Sequence, residues 1–401
     1  MSFLPRDVPS QPPRRLYAGR DVSRALTIAE LRAMALARLP RFSAEYLEGG
    51  AEEELTLADN RRAFDDHVFA PRVLVSVDRR SKSRMIFGRP SALPIGSAPT
   101  GLNGLLWPGA DAALARATAA AGIPFGQSTV SNALVADLAA LPGVRHWFQL
   151  YVFGTDDIWE TLVDNAHRAG SEVLLLTVDG AVMGNREWDI RNYARPLELT
   201  LSAKLDVLAH PRWLLDLWRA GYPRFSNLEP FVPAADRTFF GVSNWSKSSL
   251  RAALDWSFVD RLRRRWPGKL VIKGVQTVED VLEARRHGAD GVVLSNHGGR
   301  QLDRTTSPLR LIAPARAAVG KDYTLLVDSG FRRGTEIVMA LALGADAVLL
   351  GRALLYGLAA GGERGAKRAI DILATEIDRT LALLGVDSVD ELTPDVLRPA
   401  P

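Results

Sequence analysis

Apolar runs of five to seven residues recur along the chain, each followed by a longer stretch mixing Ala and Leu with Arg and Glu. The runs are Pro94–Ala98, Ile123–Ser128, Trp147–Val152, Val173–Asp179, Leu270–Gly274, Gly291–Asn296, Thr324–Asp328 and Ala347–Gly351. Continuous apolar strands alternating with helices predict a parallel sheet covered on both faces. Eight such units in 401 residues favour a closed (β/α)8 TIM barrel over an open doubly wound sheet. Gly170-Ser171, Gly288-Ala289-Asp290 and Gly344-Ala345-Asp346 fit as helix ends turning into strands.

One interval breaks this rhythm. About ninety residues separate Asp179 from Leu270, far beyond a normal βα connection, so residues 187–266 read as an insertion over the barrel mouth. Residues 27–90 read as an N-terminal segment of helices and turns packed on the barrel, and Glu363–Leu384 as a closing helix. The expected division is a flexible Pro- and Arg-rich arm over 1–21, one barrel domain over 22–393 and a tail over 394–401.

Composition narrows the chemistry. Lys plus Arg is 50 against 46 for Asp plus Glu, an excess too thin to suggest a nucleic-acid partner. The absence of cysteine excludes disulfides, a thiol nucleophile, iron–sulfur clusters and thiolate zinc sites. Six histidines argue against a His-rich metal site, so no metal is expected. No apolar run approaches the ~20 residues that span a bilayer, and the first residues lack the apolar core of a secretory signal. The expected compartment is the cytoplasm.

Barrel chemistry gathers at the C-terminal ends of the strands. Those ends carry Thr100, Ser128, Gln149 with Tyr151, Thr177 with Asp179, Lys273, Asn296 with His297, and Asp328. Any one could cap a loop, but seven strands sharing the pattern point to a bound polar ligand. Asp328-Ser329-Gly330-Phe331-Arg332-Arg333-Gly334 and Leu350-Gly351-Arg352 read as a phosphate site, because glycine admits backbone N–H groups and arginine forks onto phosphate. Blander readings suffice elsewhere. His67, His146, His167, His210 and His287 read as structural or surface residues, Arg14-Arg15 and Arg261–Arg265 as solvated charge, and Asp303 as a loop anchor.

The stretch Ser295-Asn296-His297-Gly298-Gly299-Arg300-Gln301-Leu302-Asp303 resembles the signature of the FMN-dependent α-hydroxy-acid dehydrogenases and oxidases. The resemblance extends from about Thr27 to Thr393, through Leu39-Pro40, Tyr46, Gly49-Gly50-Ala51-Glu52, Phe148–Val152, Thr177-Val178-Asp179, Gly184–Glu187, Lys273-Gly274 and Asp328-Ser329-Gly330. It implies the same barrel and FMN as cofactor. Pro99, Thr100, Gly101, Ser128, Gln149, Thr177, Lys273, Ser295, Asp328, Ser329, Gly330, Arg332, Gly351 and Arg352 would hold that cofactor. Within this set, the resemblance puts Lys273 beside the N1/O2 edge and Asp328 on the ribityl chain. It also assigns Arg186 and Arg300 to the substrate carboxylate, with Tyr46, and Tyr151 to the 2-oxygen. His297 would take a proton, α or hydroxyl, while Asp179 fixes its tautomer. One departure stands out: Gly180-Ala181-Val182 replaces the Thr-Pro pair that usually follows the Asp.

Ala98–Gly104, Leu106-Trp107-Pro108, Gly122–Phe125 and Leu355–Ala360 resemble the mandelate dehydrogenase branch more than glycolate oxidase. Gly101 stands where oxidases carry alanine, which implies a dehydrogenase that passes electrons to quinone or another acceptor in preference to oxygen. His210–Trp213 instead resembles the lactate dehydrogenases, so lactate dehydrogenase or an oxygen-using oxidase is the near alternative. A phosphate-binding isomerase or aldolase barrel would share the last two loops but not His297, Arg300 and Arg186. A non-enzymatic membrane-binding scaffold is the third reading. Between residues 201 and 265 there are eleven Lys or Arg against six Asp or Glu, and Trp188, Trp213, Trp218, Trp245, Trp256 and Trp266 lie in or beside this stretch. Such composition suits either contact with an anionic membrane face or a lid whose tryptophans pack inward. The resemblance also implies a homo-oligomer, commonly a tetramer.

Overall fold

The computed structural model describes residues 16–195 and 198–401. Eight parallel strands close into a barrel in chain order: β1 (Ile95–Thr100), β2 (Pro124–Ser128), β3 (Arg145–Leu150), β4 (Val173–Thr177), β5 (Lys269–Val275), β6 (Gly291–Leu294), β7 (Thr324–Val327) and β8 (Ala347–Leu350). All eight expected runs are present. β1 runs two residues further than its apolar run, with a register irregularity between Ser97 and Thr100, where Pro99 has no N–H to donate. Trp147, Val173, Leu175, Val271, Val293, Leu326, Ala347 and Leu349 fill the lumen, while Leu174, Leu176, Ile272 and Leu294 face the surrounding helices. This is why the strands are apolar throughout. The hairpin of Arg84–Ile86 and Arg89–Ser91 plugs the base, with Ile86 in the lumen cluster and Phe87 set edge-on to Trp147.

Helices Ile28–Arg38, Arg41–Glu48 and Leu55–Arg62 precede the barrel, as expected. The closing helix is longer than the sequence suggests, Arg352–Leu384, and bends at Gly361-Gly362. Gly362 has φ of +60°, and a Cβ there would lie 2.7 Å from the Trp107 ring. Residues 1–15 of the expected arm lie outside the described residues; further along it, the Tyr17 N–H bonds Glu30 Oε1 at 2.9 Å. The segment expected as a tail instead forms a strand, Leu397–Pro399, paired antiparallel with His67–Phe69.

The insertion is mostly helical: Glu187–Arg191, Leu201–Leu208, Pro211–Ala220, Phe239–Ser249 and Trp256–Arg265, with a hairpin at Tyr193–Arg195 and Glu198–Leu199. Its arginines are less free than expected. Arg251 and Arg261 both pair with Asp156, Arg263 with Asp290, and Arg265 with Asp164. The run Arg261–Arg265 is therefore bound largely to acids on the barrel, because its helix lies against that acidic surface. Trp213 and Trp266 are buried, whereas Trp218 is 79% exposed.

Candidate active site

The turn after β6 sets the site. His297, Gly298 and Gly299 all have positive φ (+59°, +67° and +75°), so the chain reverses tightly and leaves the imidazole at the barrel mouth. Gly299 admits no side chain, since a Cβ would lie 2.7 Å from the Leu57 nitrogen. The Asn296 amide exchanges bonds with Asn60 at 2.9 and 2.8 Å, so it holds this loop and does not reach for a ligand. Asp303 accepts from the N–H groups of Leu55 and Thr56, anchoring the loop to a helix start.

His297 Nδ1 lies 3.1 Å from both oxygens of Asp179, and its Nε2 lies 3.3 Å from the Tyr151 hydroxyl. The carboxylate can only accept, so Nδ1 carries the proton and Nε2 presents a lone pair to the cavity. Burial pushes the imidazole below its ordinary value; Asp179 opposes this, while Lys273 and Arg186 add to it. Burial works against the Asp179 carboxylate, but His297 and Lys273 hold it below the usual range. Burial pushes the Tyr151 phenol up, so it remains a donor.

Arg186 and Arg300 stand together beside this pair. Arg300 donates to the carbonyls of Tyr46 (2.8 Å) and Gly49 (2.6 Å), and its guanidinium lies 5.1 Å from the Tyr46 ring centre. Arg186 donates to the Arg300 carbonyl and to Gln301 Oε1. Burial and then the Arg300 charge pull the Arg186 guanidinium down to about 10. Two adjacent guanidinium groups present donors that suit an anion. Tyr46 donates its hydroxyl to the Gly101 carbonyl at 3.1 Å.

Below them, Lys273 bonds Asp328 Oδ2 and Ser295 Oγ, each at 3.0 Å. Burial lowers the ammonium, but Asp328 and Asp179 outweigh it and leave it above its ordinary value. Ser329 donates to Asp328 Oδ1 and accepts from the Gly298 N–H. Ser128 donates to Gln149 Oε1 at 2.7 Å, which leaves Gln149 Nε2 without a partner; Thr177 Oγ1 is buried and equally unpartnered. Orphaned polar atoms beside a buried ammonium fit the heteroatom edge of a flavin ring, and the residues present suit FMN.

A cavity of about 580 Å³ joins these groups. Tyr46, Pro99, Thr100, Gly101, Ser128, Tyr151, Arg186, Lys273, His297, Arg300, Asp328, Ser329, Gly330, Arg332, Gly351 and Arg352 line it, and Gln149, Thr177, Asp179 and Ser295 adjoin Ser128, Lys273 and His297 of that lining. Arg352 differs from expectation in one respect. It donates to the carbonyls of Leu47, Gly298 and Gly49, all at 2.8 Å, so most of its fork is spent on backbone. Arg332 is freer, giving one bond to the Phe331 carbonyl. Nothing in the sequence marks a role for Gln301, which bridges Arg186, Asp179 O and Val182 O, or for Asp189, 3.6 Å from Arg300. The signature contained Gln301, but nothing marked which of its residues face inward. Among the described residues no cluster of acids and histidines has a metal-binding arrangement.

The sequence matches the FMN-dependent dehydrogenase family over residues 35–399. (S)-Mandelate dehydrogenase of Pseudomonas putida is 44% identical over 372 residues, spanning 92% of this chain and 93% of that protein. A putative L-lactate dehydrogenase of Mycobacterium tuberculosis is 43% identical over 377 residues, spanning 94% and 89%. The crystal structure of the monotopic membrane protein (S)-mandelate dehydrogenase aligns with a TM-score of 0.90 at 43% identity, covering 94% of this chain and 100% of that one. With the barrel, the strand-end residues and these similarities in agreement, the chain belongs to the FMN-dependent dehydrogenase family of oxidoreductases.

Proposed function

We propose that this protein oxidises an L-2-hydroxy acid with an aryl or similarly bulky side chain, such as (S)-mandelate, to the 2-oxo acid. The observation that carries the reading is the position of His297 Nε2 beside the Arg186–Arg300 pair, in a cavity whose outer wall is apolar. Phe153, Leu199, Trp213, Phe225, Phe239 and Phe240 form much of that wall, which suits a ring better than a methyl group. When bound, FMN supplies the two-electron acceptor, held by the residues around Lys273, Gln149, Thr177 and Arg332. Arg186 and Arg300 bind the carboxylate, Tyr151 bonds the 2-oxygen, and His297 Nε2 accepts the departing proton while Asp179 steadies the imidazolium.

Anaerobic mixing with a panel of L-2-hydroxy acids tests this. (S)-Mandelate should bleach the flavin faster than L-lactate does, and the enantiomer should not bleach it. Faster reduction by lactate would reassign the substrate, and failure with every acid would defeat the reaction.

The low-lying imidazole has a pH consequence. The base must be neutral, and burial holds it neutral to lower pH than a free histidine. The acid limb of kcat/KM should therefore fall below the ordinary histidine value of about 6.5. A limb at 7 or above would contradict the role of His297.

We further propose that electrons pass to a quinone-type acceptor in preference to oxygen. Support comes from Gly101, which stands where the oxidases it resembles carry alanine; a Cβ there would sit 2.4 Å from Val130 Cγ2. A valine is stiff, so Gly101→Ala should cost about 1–3 kcal/mol of stability, read as a lowered Tm, and should quicken reoxidation of the reduced protein by oxygen. Reoxidation by oxygen as fast as by a quinone analogue in the unaltered protein would overturn the acceptor assignment.

Attachment to a membrane face is part of the same proposal. Among the described residues no helix is long and apolar enough to cross a bilayer. The insertion does expose Leu201, Leu205 and Leu208 along one helix face, then Leu215, Trp218 and Tyr222, with Arg212 and Arg219 also exposed. Cosedimentation with anionic vesicles should fall at least fivefold in a Leu205→Ser, Trp218→Ser double variant; unchanged binding would exclude this surface.

A further inference from the structure

Asp111 lies in the first turn of the helix Ala110–Ala120, where an acid ordinarily faces water and complements the helix N-terminus. Here it is 4% exposed, and its carboxylate is met by neutral donors from two different loops. Oδ1 accepts from Asn103 Nδ2 at 2.8 Å; Oδ2 accepts from Ser131 Oγ at 2.5 Å and the Asn132 N–H at 2.6 Å. A buried carboxylate is costly to keep, and neutral donors offset that cost only when all are in place.

Both loops lead to the cofactor cleft. The amide nitrogen of Asn103 that reaches Asp111 also bonds Thr100 Oγ1 at 3.0 Å and the Thr100 carbonyl at 3.2 Å. On the other side, Ser131 and Asn132 follow Val130, whose carbonyl accepts the Leu102 N–H and whose methyl group occupies the space beside Gly101. Asn132 then bonds the Gly104 N–H at 2.7 Å and, through Nδ2, the Arg224 carbonyl in the insertion at 2.8 Å. One carboxylate thus ties the β1 loop, the β2 loop and the foot of the insertion.

We infer that Asp111 is a positioning residue that sets Thr100 and Gly101 against the flavin by holding the β1 and β2 loops at a fixed separation. The inference rests on the reading of Thr100 and Gly101 as cofactor contacts. An amide cannot replace the carboxylate. With its oxygen turned to Ser131 and Asn132, its NH2 would face the NH2 of Asn103, and two donors cannot bond. Asn103 must then flip to present Oδ1, which otherwise has no partner, and the Thr100 carbonyl loses its donor.

The test is reconstitution of apoprotein with FMN, following quenching of flavin fluorescence and the shape of the bound flavin's visible band, well below the Tm of each variant. Asp111→Asn should weaken FMN binding at least tenfold and alter the band. Should Asp111→Asn fail to fold, Asn103→Ala removes the tether while leaving the carboxylate on Ser131, and should weaken FMN binding similarly. Thr100→Val separates the two layers of argument. If it changes neither affinity nor band, the assignment of Thr100 to the cofactor falls. If it changes them while Asp111→Asn, or Asn103→Ala in its place, lowers only Tm, the positioning role is overturned.

Discussion

A His297→Asn protein that retains its flavin is expected to be reduced by substrate about 10²–10⁴-fold more slowly than the parent, the usual contribution of a positioned general base. The loss should fall on the reduction rate and spare substrate affinity, because Arg186 and Arg300 keep their bonds to Gln301, Tyr46 and Gly49. Asparagine is chosen because the 297 position has φ of +59°, which asparagine tolerates better than most residues. Stopped-flow reduction over a range of substrate concentrations separates the two quantities. A rate within tenfold of the parent would remove His297 from the chemistry; unaltered chemistry with a large rise in KM would make it a binding residue.

Lys273→Met should be strongly destabilising. Lys273 and Asp328 are both nearly inaccessible and bond at 3.0 Å, so deleting the ammonium strands a buried carboxylate with Ser329 as its remaining donor. Breaking a buried pair from one side costs about 3–5 kcal/mol. Urea unfolding of the apoprotein measures this without interference from cofactor. A Lys273→Met, Asp328→Asn double variant should regain much of the loss, because neither charge is then left alone. Equal stability of single and double variants would show that the two side chains do not depend on each other.

The barrel was legible because its strands are buried on both faces, which writes each as an unbroken apolar run. The site was legible for a related reason: Lys273, Asp328 and His297 end such runs, where polar residues have no packing role. The insertion was opaque. Its helices bury one face and expose another apolar one, so Trp213 and Trp218 look alike in sequence although one donates to the Leu105 carbonyl inside and the other meets solvent. Asp111 and Asp189 were missed because an acid in a helix's first turn reads as surface charge, and only the surrounding loops show that each is drawn inward. The place of Arg352 after a glycine suggests a phosphate ligand but carries no information about the backbone carbonyls that occupy it.

Asp156 holds both Arg251 and Arg261, which together fasten the returning leg of the insertion to the barrel wall. Bonds of this sort lie near water and weaken as ionic strength rises. Concentrated salt should consequently slacken the canopy above the cavity. Preparation at low salt should give material whose turnover is the more faithful to the fastened state.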